Sequence, residues 1–427
     1  MPGLSHSLYN LLVWAAQPLL RRKLARRAVA EPGYAVAVPE RFGHYTQPAE
    51  ATRTFIWVHA VSLGESRAAA ILLKALREAL PGVRILLTNG TATGRAEGAK
   101  LLQPGDVQVW QPWDTPAAVQ AFLNHFKPRI GLLMETEVWP NLVLQSARAG
   151  VPLALVNARM SEKSLRSALR WASLMRPTYA ALQAVWAQTE ADAQRLRALG
   201  ASVQTVTGNL KFDAQPDAGQ VAQGRAWRAA LPSPVCLLAS SREGEEALWL
   251  QALQQTQPQG VQWLIVPRHP QRVAEVQALL QGAGLSVSCR SSWGDAGPAQ
   301  HTHAQVWLGD SLGEMALYYS LADVALLGGS FEPLGGQNLI EAAACACPVV
   351  MGPHTFNFLE VAQQAELAGA AQRVPDMVSA VQQAQQLALD PSARPTRAAD
   401  ALAFSQAHKG AARRVAGLVK ELLGSQG

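Results

Sequence analysis

The stretch Val324-Ala-Leu-Leu-Gly-Gly-Ser-Phe-Glu-Pro-Leu-Gly-Gly-Gln-Asn-Leu-Ile-Glu341 passes from an apolar run through paired glycines into a helix-forming tract, Ala342 to Ala346. Val324 to Leu327, closed by glycine, reads as a buried parallel strand. In an open α/β sheet the loops at the carboxyl ends of strands are where nucleotides sit. Glycines there let backbone approach a ligand, and a helix amino-terminus offers N–H groups and partial positive charge to a phosphate. Asn338 and Glu341 lie three apart on one helical face, within reach of a sugar hydroxyl. A tight turn before a capped helix is the plainer reading of a lone Gly-Gly pair. The whole string, with Pro348-Val-Val-Met-Gly-Pro-His354 behind it, points instead to a nucleotide-sugar site.

Outward from this stretch, strand-like runs alternate with helical ones twice over. The first set is Phe55–Val61, Arg84–Thr88, Val107–Gln111, Arg129–Met134, Leu153–Val156, Val185–Gln188 and Val203–Thr207. The second is Val235–Ala239, Gln262–Val266, Leu285–Ser288, Gln305–Gly309, Val324–Leu327 and Val349–Met351. Such alternation means βαβ units and parallel sheets. The expected fold class is α/β, with two doubly wound, Rossmann-like domains facing each other across a cleft. The boundaries read as a membrane-proximal segment at 1–30, a first domain at 31–213, a polar linker at 214–233, a second domain at 234–396, and a long final helix within 397–427.

At 427 residues the chain has room for two sizeable cores. Its four cysteines are scattered and Cys345 and Cys347 fall on different helical faces, so neither a disulfide framework nor a metal pair is expected. A reducing, cytoplasmic setting fits. The net charge of +6 is uneven: Arg21, Arg22, Lys23, Arg26 and Arg27 crowd behind an apolar segment, Leu8 to Leu20. Those thirteen residues are too few for a comfortable span, which needs ~20. No basic residue precedes them and no small-residue site closes them, which disfavours a cleaved signal peptide. A helix lying on an anionic membrane face, held from the cytoplasmic side, fits this order, as does an amphipathic helix packed on the first domain. No aromatic-interleaved basic patch or known motif speaks for nucleic acid, which is not expected as a partner.

Further motifs fall at strand ends. In His59-Ala-Val-Ser-Leu-Gly-Glu65 a turn carries Glu65 into the next helix, at the ligand-facing edge of the sheet. Ser62 with Glu65 equally fits a capping box. Glu135-Thr-Glu137-Val-Trp-Pro-Asn141 puts two acids just past a strand, where they raise each other's pKa or demand a cation. Lys211, in Gly208-Asn-Leu-Lys-Phe-Asp213, suits a phosphate, or is a solvated surface lysine. Arg268, in Pro267-Arg-His-Pro270, brings a planar donor fork. Asp310-Ser-Leu-Gly-Glu-Met315 opens another helix at a strand end. Phosphate-loop, dinucleotide, Asp-x-Asp and His-Glu-x-x-His motifs are all missing, so no metal or cofactor is expected. Arginine, lysine and helix amino-termini would then carry a leaving group of modest charge.

Taken in order, Ser-Leu-Gly-Glu65, Glu135-Thr-Glu-Val-Trp-Pro-Asn, Gly-Asn-Leu-Lys211-Phe-Asp, Pro-Arg268-His-Pro, Leu-Gly-Glu314-Met and Gly-Gly-Gln-Asn338-Leu-Ile-Glu341 resemble the Kdo transferases over nearly the whole chain. Glu40-Arg-Phe-Gly43 and the apolar-then-basic start resemble that family's membrane-proximal segment. The resemblance implies a GT-B fold and inverting transfer of 3-deoxy-D-manno-octulosonic acid (Kdo) from CMP-Kdo to the 6′-hydroxyl of a tetraacylated lipid A precursor. It implies a general base at Glu65, with Glu135 and Lys211 assisting the transition state. It further implies CMP contacts at Arg268, His269, Gly313, Glu314, Met315, Asn338, Leu339, Ile340 and Glu341. Its expected partners are CMP-Kdo, the lipid acceptor and an anionic membrane surface at the cytoplasmic face of the inner membrane. Gln337 stands where the family often has histidine, and Leu339-Ile340 where Pro-Leu is frequent. A GT-B enzyme using a UDP-sugar, transferase or epimerase, is the alternative from the same fold, and a non-catalytic membrane scaffold a third reading.

Overall fold

The structure, a computed structural model, describes residues 4–424; the outermost residues of the expected terminal segments, 1–3 and 425–427, lie outside it. The chain divides into two compact units. One runs up to Asp213 and takes in the residues from Gly410 onward; the other is Ala214–Lys409.

The first unit holds β1 (Phe55–His59), β2 (Arg84–Asn89), β3 (Val107–Trp110), β4 (Ile130–Met134), β5 (Leu153–Ala158), β6 (Ala184–Ala187) and β7 (Val203–Val206). All pair in parallel, in the order β3-β2-β1-β4-β5-β6-β7. A parallel sheet is covered on both faces, so its strands are apolar at every position rather than at alternate ones. Phe55 and Trp57 enter a core with Phe122 and Phe126; Ile56 and Val58, pointing the other way, meet Leu72, Leu76, Val415 and Val419. Burying each such side chain contributes about 1.5–3 kcal/mol. Gly131 of β4 sits opposite Trp57, and a Cβ there would come within 2.7 Å of the indole.

The second unit holds β8 (Val235–Ser241), β9 (Gln262–Pro267), β10 (Val287–Cys289), β11 (Val306–Leu308), β12 (Val324–Leu327), β13 (Val349–Met351) and β14 (Ala371–Arg373). These too are parallel, ordered β10-β11-β9-β8-β12-β13-β14. Strand order reverses between β1 and β4 in one sheet and between β8 and β12 in the other. Connections leave to opposite faces at those points, opening a crevice at the carboxyl ends. The doubly wound α/β reading therefore holds for both units.

Two expectations are corrected, and one strand is added. Residues 214–233 are no linker: helix Ala218–Ala229 packs on helix Met315–Leu321 within the second unit, Gly224 so close that a Cβ would meet Leu317 O at 2.5 Å. Trp227 is buried there, and Arg228 pairs with Asp323 at 2.5 Å. The long final helix is two, Ala393–Ala407 and Ala411–Gly424, broken at Gly410, whose φ of +97° suits glycine. Asp213 accepts the N–H groups of Gly410 and Ala412 and so caps the second piece, which joins the first unit. Strand β14, with polar Gln372 and Arg373, has no apolar run to announce it and went unforeseen.

The amino-terminal segment forms helices Leu4–Ala15 and Gln17–Ala30, joined at Ala16. Among the described residues no helix is long and apolar enough to cross a membrane.

Candidate functional site

In the first unit the expected residues gather at the β1–β4 reversal. Ser62 caps helix Leu63–Ala79: its Oγ accepts the Glu65 N–H at 3.3 Å, while Glu65 Oε2 accepts those of Ser62 (2.9 Å) and Val61 (2.6 Å). The capping box is real, and it occupies one carboxylate oxygen; Oε1 accepts no hydrogen bond among the described residues. Burial raises the Glu65 pKa, Glu137 and then Glu135 add to this, and the two backbone N–H bonds oppose it; the outcome is about 7. A carboxyl group poised there exchanges a proton readily at neutral pH.

Glu135 directly follows β4 with φ +54°, a left-handed conformation costing about 1–3 kcal/mol in a non-glycine residue. Its buried carboxylate takes Arg159 Nε at 2.8 Å on Oε2 and faces Lys211 Nζ at 3.8 Å on Oε1. The cation demanded by paired acids is thus supplied twice. Asn157, at the end of β5, also has positive φ (+51°); its Oδ1 accepts the Leu210 N–H and so fixes the turn bearing Lys211. Glu137 accepts the Trp139 indole N–H at 2.9 Å, and burial, with Glu135 beside it, pushes its pKa up. His59 Nε2 lies 3.9 Å from Glu137; burial drops the His59 pKa to about 3, so the ring is neutral.

Arg159 and Asn157 were missed from the sequence. The signal was there: Val156-Asn-Ala-Arg159 puts polar residues just where an apolar run reaches the ligand-facing edge.

In the second unit the β8–β12 reversal brings the glycine-rich stretch against β8. A Cβ on Gly328 would lie 2.2 Å from Ser240 O, and Gly329 has φ +71°, so both positions require glycine. Glu245, fully buried, accepts the N–H groups of Gly329 (2.7 Å), Arg242 (2.9 Å) and Phe331 (3.1 Å), pinning the loop to the end of β8. Gly336 and Gln337 donate back to Gly329 and Gly328 at 2.7 and 3.0 Å, closing the loop on itself. Arg268 Nε donates to Gln337 Oε1 at 3.2 Å, bringing the end of β9 to the same place. His269 stands alongside, its pKa lowered by desolvation and by Arg242 and Arg268.

Gly313, Glu314 and Met315 begin the helix Met315–Leu321. Glu314 is held by Arg290 at 3.1 Å, and Met315 Sδ lies 4.0 Å from Ser240 Oγ. Asn338 caps the helix Leu339–Ala344, accepting the Ile340 N–H at 3.2 Å. The side chains of Leu339 and Ile340 are buried in the core, so only their backbone faces outward chemistry; Glu341 is exposed. Among the described residues no group of three or more His, Cys, Asp or Glu could hold a metal ion.

Residues 37–214 match the family model described as 3-deoxy-D-manno-octulosonic-acid transferase (kdotransferase). A 3-deoxy-D-manno-octulosonic acid transferase of Bordetella pertussis is 45% identical over 99% of this chain and 100% of its own. Another, from Haemophilus influenzae, is 31% identical over 83% of each. Among solved structures, a glycosyltransferase of Rickettsia africae superposes with a TM-score of 0.58 at 12% identity, covering 88% of this chain and 99% of its own, a likeness of fold alone and of GT-B type.

Proposed function

As the chain belongs to the 3-deoxy-D-manno-octulosonic acid (Kdo) transferase family, we propose that it is an inverting enzyme moving Kdo from CMP-Kdo to the 6′-hydroxyl of a tetraacylated lipid A precursor. One observation carries this reading. Glu65 is a carboxyl group of pKa about 7, oriented by two backbone N–H bonds, beside a Glu135–Lys211–Arg159 ion cluster.

Glu65 takes the proton of the acceptor hydroxyl as its oxygen attacks the anomeric carbon of the sugar. The capping bonds hold the carboxylate still, so little reorganisation is needed as charge shifts. In the first unit Lys211, with Glu135 positioning it, meets negative charge developing in the transition state; in the second unit Arg268 offers its guanidinium to the phosphate of CMP, which departs as a phosphomonoester. The glycine-rich loop and the Gly313–Met315 turn offer backbone to the nucleotide. Exposed Leu8, Leu11, Leu12 and Trp14, followed by the basic residues of helix Gln17–Ala30, support docking on an anionic membrane at the cytoplasmic face.

Mass spectrometry of the lipid formed from CMP-Kdo and the tetraacylated precursor tests the reading and counts the Kdo units added. An unchanged lipid mass, or turnover of UDP-sugars instead, would overturn it.

A further inference from the structure

We propose that Arg159 is an oxyanion-binding residue of the first unit, and that its ligand is the carboxylate carried by the anomeric carbon of the donor sugar. The assignment rests on the Kdo-transfer reading.

The guanidinium is half exposed and fixed at one point only: Nε donates to Glu135 Oε2 at 2.8 Å, and Nη1 and Nη2 have no hydrogen-bond partner among the described residues. Holding Nε sets the plane of the group and leaves a fork of donors unspent, the geometry that suits a two-oxygen anion. Two cations, Arg159 and Lys211, face the single carboxylate of Glu135.

The backbone is arranged around this contact. Glu135 directly follows β4 and Asn157 lies at the end of the adjacent β5, and both carry positive φ. The Arg159 N–H reaches back to Glu135 O at 3.3 Å, so the two strained turns are tied together at the arginine. A surface arginine that only neutralised Glu135 would need neither the strain nor the second cation.

An octulosonic acid bears its carboxylate directly on the carbon that reacts. A fork of donors beside the base and the transition-state groups suits that carboxylate. A phosphate on the lipid acceptor has the same oxyanion chemistry, and the kinetics separate the two.

The test is steady-state kinetics of full-length wild type, Arg159→Gln and Arg159→Lys, varying each substrate in turn, with CMP binding by calorimetry. Loss of a charge-assisted contact predicts a rise of roughly 10- to 100-fold in KM for CMP-Kdo in Arg159→Gln. KM for the lipid and Kd for CMP stay unchanged. Arg159→Lys keeps a cation beside Glu135 and so protects the fold, but loses the fork; it should raise the same KM, to a smaller degree, and decides the matter if the glutamine variant does not fold. A rise confined to the lipid KM would assign the site to an acceptor phosphate and overturn the carboxylate. Unchanged KM for both substrates in an active protein would overturn the site itself. A wild type that transfers no Kdo would remove the functional reading and the assignment with it.

Discussion

Ser62 and Glu65 are bonded in both directions, Ser62 Oγ to the Glu65 N–H at 3.3 Å and Glu65 Oε2 to the Ser62 N–H at 2.9 Å. A cap and a proton acceptor are often weighed as rival explanations of one residue. Here the cap uses Oε2 and aims the carboxylate, and Oε1 accepts no hydrogen bond among the described residues. Two N–H donors and a helix amino-terminus would ordinarily depress a carboxyl pKa. Burial first, and then Glu137, act against them and hold the pKa up at about 7.

Glu65→Gln retains an oxygen able to accept the Ser62 and Val61 N–H groups but cannot take a proton. Turnover should fall by about 10²-fold or more, with melting temperature and CMP affinity nearly unchanged. Normal turnover in a folded Glu65→Gln protein would sink the assignment of the base.

A base of pKa about 7 must be ionised to act, so kcat/KM should drop as pH falls through about 7. Glu137 is the largest charged contributor to that rise, and Glu137→Gln should shift the acid limb to lower pH. Stability runs the opposite way. A carboxyl group whose folded pKa is raised favours the fold while protonated, and that contribution is lost as pH climbs from the unfolded value, near 4.5, through about 7. Glu65→Gln should flatten melting temperature against pH across this window; an unaltered slope would show that Glu65 is not the group titrating.

Much of the candidate site's placement was legible because parallel α/β sheets bring the residues that follow their strands to one edge. Glu65, Glu135 and Arg268 each follow an apolar run, and every run of the first set became a strand. Arg159 obeys the same rule yet carries no motif; its pairing with Glu135 depends on β5 lying beside β4, which sequence spacing does not reveal. Trp227 and Gly224 misled for a related reason. In a polar stretch they read as linker, and only the facing helix Met315–Leu321 explains the glycine. Strand β14 is three residues long with two of them polar, below what periodicity can detect.

Activity should survive exhaustive chelation. Glu135, the buried acid best placed to bind a cation, already has Arg159 at 2.8 Å and Lys211 at 3.8 Å. A divalent ion would have to displace both or add to them at a Coulombic cost. Loss of turnover in EDTA with rescue by magnesium would refute this and make Glu135 and Glu137 candidate ligands.

The helix Leu4–Ala15 should bind anionic membranes through one face while its other face serves the fold. His6 is buried, with Nε2 2.8 Å from Asn141 Oδ1, and the Tyr9 hydroxyl donates to Asp114 at 2.7 Å. Leu4, Leu8, Leu11 and Leu12 follow the 3.6-residue period on the exposed side, with Trp14 nearby. The packing contact and the proposed membrane contact thus fall on two sides of one helix. Deleting residues 1–27 would strip Asp114 of a buried partner along with the apolar face, so a lower melting temperature would confuse the result. Replacing Leu8, Leu11, Leu12 and Trp14 together with serine removes only the exposed side. Each apolar side chain fully buried is worth about 1.5–3 kcal/mol, and each nearby basic residue ~1 kcal/mol on an anionic surface. Of the basic residues, Arg21 is spent over the Phe42 ring at 3.5 Å and Arg27 on the Tyr34 hydroxyl at 3.2 Å, leaving Arg22, Lys23 and Arg26 exposed for lipid. Salt weakens the basic contribution and spares the apolar one. In co-sedimentation with phosphatidylglycerol vesicles, the wild type should therefore stay partly bound at high salt. The serine variant should bind weakly at low salt, not at all at high salt, and melt as the wild type does. Equal sedimentation of the two proteins at high salt would place the membrane contact on another surface.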